Sequence, residues 1–148
     1  MTQDLWEIYQ TTCFVLPEKT NLLQARLCRN FAIISARNPE SKEQSLYLNL
    51  QAEKTMKQWL NKRSYDYKRI YGCSPSFDYV EPSLLIDMPD KTCAIEAAAA
   101  FRQNALFWVS DNQLYLVSCS QISNAEVNLG VFSKRLIQAN LILNKANT

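Results

Sequence analysis

Glu81 is the side chain in this sequence best suited to proton transfer. It opens the apolar run from Val80 to Met88, where partial burial raises a carboxyl pKa and suits it to general acid or base chemistry. The same position equally suits a carboxylate that accepts from backbone amides or pairs with a lysine or arginine at a sheet edge. Asn38 precedes Pro39, which holds it extended. Its amide can bind a ligand, or it can close an Asx turn that caps the helix starting near Ser41. Gln103 and Asn104 lie where a helix ends. Either can donate to a ligand, and Asn104 can equally be the helix C-cap. Ser83 completes the mark Glu81-Pro82-Ser83. Asn38, Glu81, Ser83 and Gln103 are the candidate ligand-binding residues, and Glu81 is the candidate catalytic one. Arg37 and Arg102 are either anion ligands or surface charges.

Two absences narrow the chemistry. The chain has no histidine, which removes Ser-His-Asp and Cys-His catalysis and every histidine-ligated metal centre. It has two glycines, too few for a Walker loop or a G-x-G-x-x-G dinucleotide turn. Five cysteines, an odd number with no C-x-x-C pair, read as reduced thiols that serve as small apolar side chains. No cofactor and no metal is expected, and whether the chain is an enzyme stays open.

A different constellation runs from Lys54 to Tyr71. Lys54, Lys57, Lys62, Arg63, Lys68 and Arg69 stand against one acid, Asp66, with Trp59, Tyr65, Tyr67 and Tyr71 interleaved. Basic groups neutralise phosphates and aromatic faces stack bases, so this mixture suits single-stranded nucleic acid. It is also what a solvated helix end looks like, because lysines there complement the helix dipole. Residues 74–90 are oppositely charged, with Asp78, Glu81, Asp87 and Asp90.

The elements that must position these groups follow from periodicity and punctuation. Residues 4–11 read as a short helix and 12–16 as a strand stopped by Pro17. Residues 20–29 suggest a helical turn. Phe31 to Ser35 is a continuous apolar run, as expected of a strand covered on both faces. Ser41-Lys42-Glu43-Gln44 fits a capping box, opening a helix to about Arg63 with Ser45, Asn49, Ala52, Met56 and Trp59 inward. A buried Asn49 must be hydrogen-bonded and so ties down a neighbouring loop. Tyr65 to Tyr71 and Val80 to Met88 read as strands. Asp90 caps a helix over 91–104 whose four alanines let it lie close to a sheet. Residues 106–109 and 114–119 form a hairpin, 120–130 a polar loop, and 131–145 a final helix with Phe132, Leu136, Ala139 and Leu143 on one face.

The alternation of strands with two helices predicts an α+β fold: a single sheet of five to six strands, two main helices packed on a face, and terminal helices. At 148 residues and 47% hydrophobic, the chain suits one α+β domain over residues 1–120, with 121–148 a C-terminal extension that packs on it. The net charge of +2 points to no strongly charged partner. With no basic-then-apolar leader and no long apolar run, the expectation is a cytoplasmic protein with no membrane partner.

Three marks then combine: Ile34-Ser35-Ala36-Arg37-Asn38-Pro39, Glu81-Pro82-Ser83 and Phe101-Arg102-Gln103-Asn104-Ala105, with Leu5-Trp6, Tyr9, Thr12, Ser45, Asn49 and Gly72 around them. In order and spacing over roughly residues 4–118 they resemble the domain of unknown function 3293 family. The resemblance implies a bacterial protein and no particular activity. It links Asn38, Asn49, Glu81, Ser83 and Gln103 as one set, as a site or as a scaffold. Arg37 stands where the family pattern has an apolar residue, which suggests that this position is turned outward here. The leading expectation is a binding or regulatory module with a polar pocket for a small molecule or a peptide segment of a protein. The rivals are an enzyme using Glu81 as acid or base, and nucleic-acid binding through Lys54–Tyr71.

Overall fold

The computed structural model describes residues 2–17, 29–119 and 125–138. In chain order these form α1 (Gln3–Tyr9), β1 (Cys13–Leu16), β2 (Phe31–Ile34), a 3-10 turn (Pro39–Ser41), α2 (Leu46–Lys62), β3 (Tyr67–Cys73), β4 (Val80–Asp87), α3 (Lys91–Ala100), β5 (Ala105–Ser110), β6 (Gln113–Ser118), β7 (Glu126–Val131), a second 3-10 turn (Phe132–Arg135) and β8 (Leu136–Gln138). The suggested helical turn over 20–29 falls almost wholly outside the described residues.

All eight strands join one sheet in the order β7-β6-β5-β2-β4-β3-β1-β8. Every neighbouring pair is antiparallel except β1 and β8, which run parallel. This overturns the expected five to six strands with two main helices and terminal helices. The fold is one curled mixed sheet, a half-barrel, with three helices. The error lies at the C-terminal side. Residues 126–130, read as polar loop, and Val131, read as the start of a helix, alternate Glu-Val-Asn-Leu-Gly-Val, which is the period of a strand. Phe132 and Leu136, read as one helix face, instead belong to a 3-10 turn and a strand; residues 139–145 lie outside the described part.

Period-2 alternation fills both faces of the sheet. Ala32 and Ile34 of β2, Leu84 and Ile86 of β4, and Leu106 and Trp108 of β5 pack against Met56 and Leu60 of α2 and Ala94, Ala97 and Ala98 of α3. The intervening residues Phe31, Ile33, Leu85 and Val109 face the other way, with Phe14, Ile70, Leu114 and Phe132. Alanines on α3 let its backbone approach the sheet closely, as its composition foretold.

The curl has a covalent cause. β7 and β8 are consecutive in the chain yet occupy opposite edges of the sheet. The connection from Val131 to Leu136 spans at most ~18 Å even when fully extended. A register shift between Leu114 and Tyr115 bulges β7, and Gly130 takes φ +90 there, a conformation that side-chain-bearing residues adopt with strain. The chain then turns Phe132 inward, where its ring lies 5.5 Å from Phe14 and 5.3 Å from Phe31. Burying such a ring completely stabilises the fold by about 1.5–3 kcal/mol. Arg135 fastens the seam. Its Nη1 donates to the carbonyls of Gln10 (2.8 Å) and Thr12 (3.2 Å), and its Nη2 donates to that of Leu129 on β7 (3.3 Å).

Candidate functional site

The site is built where β2 ends, β4 begins and α3 stops. After Ile34 the chain leaves the sheet, and Ser35 Oγ bridges the exit. It accepts from the Arg37 amide (3.0 Å) and donates to the Pro82 carbonyl (3.3 Å). Asn38 is not extended as the following proline suggests; it sits at φ 48, ψ 62. Asparagine tolerates this left-handed region better than other side-chain-bearing residues, and Asn49 holds it there. Asn38 Oδ1 accepts from the Gln44 amide (3.2 Å) and from Asn49 Nδ2 (3.1 Å), while Asn49 Oδ1 accepts from the Asn38 amide (3.0 Å) and from Gln44 Nε2 (2.7 Å). The expectation that Asn49 ties down a loop is therefore met.

Glu40 and Ser41 also take positive φ, 58 and 60, so the loop holds three side-chain-bearing residues in a region that costs about 1–3 kcal/mol each. Its other anchor is α3. The Glu40 amide donates to the Arg102 carbonyl (2.7 Å), and the Arg102 side chain pairs with Glu40 (2.8 Å). Ser41 is not the helix cap. Ser45 is, accepting from the Leu48 amide (3.2 Å). Ser41 Oγ instead accepts from Asn104 Nδ2 (2.8 Å).

Helix α3 ends at Ala100, earlier than expected, in a Schellman motif. The Gln103 amide donates to the Ala98 carbonyl and that of Arg102 to Ala99, with Arg102 at φ 56. This motif satisfies carbonyls that a helix end leaves open. It also turns Gln103 back toward the loop, where Nε2 donates to the carbonyls of Arg37 (3.1 Å) and Phe101 (3.3 Å).

These anchors surround a cavity of about 110 Å³ lined by Arg37, Asn38, Ser41, Tyr79, Glu81, Gln103, Asn104 and Ala105, and by Leu5 and Tyr9 of α1. A smaller hollow of about 40 Å³, reached by Ser35, Glu81, Ser83 and Gln103, shares the Tyr9 wall. Of the four candidate binding residues, Asn38, Glu81 and Gln103 border the first, and Ser83 the second. Ser83 is buried and its hydroxyl donates to the Glu81 carbonyl (3.4 Å). Sequence reasoning did not assign Tyr9 or Tyr79 to this group. The resemblance set Tyr9 beside the three marks without giving it a role, and only the topology brings it to Glu81.

Electrostatically the cavity favours neutral acids. Burial pushes the Glu81 carboxyl above its ordinary value, against the pull of the Ser35 and Tyr79 hydroxyls and of the Arg37 charge. Burial, then the Glu81 charge, push the Tyr9 hydroxyl up to about 12, against a hydrogen bond from Ser41. Tyr79 keeps 44% of its surface exposed while its hydroxyl is turned to Glu81, and burial and that carboxylate raise it too. Arg37 is not turned outward. It lines the cavity, and its Nε is buried with no hydrogen-bond partner.

Arg63, Trp59 and Arg69 of the basic, aromatic segment are engaged away from the cavity. The Arg63 guanidinium lies 3.7 Å from the Trp59 ring centroid, and Trp59 packs edge-on to Phe101 at 5.9 Å. Arg69 pairs with the buried Glu53 and donates to the Ser83 carbonyl (3.2 Å). Among the described residues no group of three His, Cys, Asp or Glu comes together to hold a metal ion. No described helix is long and apolar enough to cross a membrane.

Residues 34–106 match the family model described as "Protein of unknown function (DUF3293)", so the family resemblance read from the sequence holds. No curated protein and no solved structure matches the chain. The matched stretch holds every lining residue of the larger cavity except Leu5 and Tyr9.

Proposed function

We propose that this member of a family without a stated activity is a binding module, and that the cavity beneath α1 receives a small polar ligand or the end of a peptide segment. The observation that carries this reading is the convergence of Asn38, Glu81 and Gln103, far apart in sequence, on one cavity that also holds Arg37 and two tyrosines. Asn38 and Gln103 spend their amides largely on the loop. They act as the frame, while Arg37, Tyr9, Tyr79 and Glu81 are the groups offered to a ligand. A fragment screen by amide NMR tests it. Binders should perturb Asn38, Glu81 and Gln103 together, and Glu81→Ala and Gln103→Ala should abolish those shifts in a protein that still folds. Loss of the fold in both variants would make the set a scaffold.

The second reading is an enzyme with Glu81 as general acid or base, which the upward shift of its carboxyl favours. A Glu81 carboxyl that titrates at the ordinary value of about 4.3 in the folded protein would count against it.

A further inference from the structure

We infer that the ligand of this cavity presents a carboxylate to Arg37; this rests on the binding-module reading above. Arg37 differs from the other arginines near the site. Arg69 is paired with Glu53 and Arg102 with Glu40. Arg37 closes no ion pair among the described residues, and its Nε is buried without a partner. A buried donor left unpaired is costly, and more so when charged. That makes it the group in the cavity with most to gain from a ligand. The planar guanidinium fork matches the two oxygens of a carboxylate.

The surroundings favour the same class. The Tyr9 hydroxyl, pushed up to about 12, is a donor at neutral pH, while that of Tyr79 is turned to Glu81. Burial raises the Glu81 carboxyl, which eases the approach of a second carboxylate. Arg37 is the one basic side chain in the lining, and a single negative charge matches it. A dianion would leave a buried charge uncompensated. The volume, about 110 Å³, admits a group of a few heavy atoms such as a terminal carboxylate and its adjoining carbon.

The test is a ¹H–¹⁵N NMR titration of the folded protein with acetate, acetamide and inorganic phosphate at matched ionic strength. The Arg37 Nε–H signal is assigned by its loss in Arg37→Lys. Acetate should shift that signal with the amides of Asn38 and Gln103, acetamide at equal concentration should not, and Arg37→Lys should weaken the acetate response at least tenfold. If acetamide binds as well as acetate, or phosphate binds more tightly, the carboxylate assignment is overturned while the cavity remains a binding site. If none of the three probes moves any cavity signal, the binding reading falls and the inference with it.

Discussion

Asn38 and Asn49 hold each other by two reciprocal hydrogen bonds: Asn49 Nδ2 to Asn38 Oδ1 at 3.1 Å, and the Asn38 amide to Asn49 Oδ1 at 3.0 Å. Helix α2 thereby fixes the loop that carries Arg37. Asn49→Leu keeps the volume but leaves the Asn38 amide and Oδ1 short of a partner. The expected loss is about 2–3 kcal/mol, read in urea unfolding as a lower midpoint with an unchanged slope. An unchanged midpoint would show that the pair does not fix the loop.

Glu53 of α2 and Arg69 of β3 form a second pair, which ties helix to sheet. Arg69→Met leaves Glu53, only 9% exposed, with Lys57 at 4.0 Å as its remaining ion-pair partner. Because Arg69 retains 25% of its side-chain exposure, the cost should sit near the lower end for a broken buried pair, about 3 kcal/mol. Adding Glu53→Met should recover most of it. A double variant no more stable than the single one would show that packing, not the unpaired charge, dominates.

Glu81 and Glu53 give stability opposite pH dependences. Burial lifts Glu81, so between its unfolded and folded values the native state holds the proton more tightly. Its contribution is complete below the ordinary carboxylate range and is lost as pH rises through the folded value. Burial also acts on Glu53, but the hydrogen bond and charge of Arg69, with Lys57 and Arg37, outweigh it and lower the carboxyl. That contribution is present above the ordinary range and is lost as pH falls through the folded value. Stability measured against pH for wild type minus Glu81→Gln should fall with rising pH, and for wild type minus Glu53→Gln should rise. Two curves of the same sign would refute the assignment.

Cys13 stands directly opposite Cys73 in the β1–β3 register, both free thiols, with Cys73 Sγ 3.5 Å from the Cys13 carbonyl. Directly opposed residues have Cα atoms about 4.5–5.5 Å apart, within the range a disulfide spans. Exchange with glutathione disulfide, which leaves as two equivalents of glutathione, should join them. Peptide mapping should show one Cys13–Cys73 linkage, absent in Cys73→Ser. Mixed disulfides alone would mean that the strands do not let the sulfurs meet.

Much of this was legible in the sequence where local chemistry decides. The double-faced strand Phe31–Ile34, the Asp90 cap, the alanine-rich helix and the buried Asn49 all follow from patterning and the need to pair polar groups. What failed depends on tertiary context. Ser41 fits a capping box, but the left-handed turn at Asn38–Ser41, held by α2 and by the Arg102 carbonyl, moves the cap to Ser45. Glu53 escaped notice because a carboxylate enters a core only with a partner, and Arg69 is sixteen residues away on another element. Arg37 looked like a surface charge for the same reason: neither composition nor spacing shows a cavity. β7 was overlooked despite its alternation, because half its residues are polar, as suits an edge strand with a single partner.

The parallel pairing of β8 with β1 joins residues 136–138 to residues 14–16. During synthesis, β1 can zip onto β3 long before β8 leaves the ribosome, yet its outer flank stays open. An unpaired strand flank is a template for foreign strands, and contacts so distant in sequence form slowly. The nascent chain therefore spends its longest vulnerable interval with one sticky border uncovered, and three late residues end it.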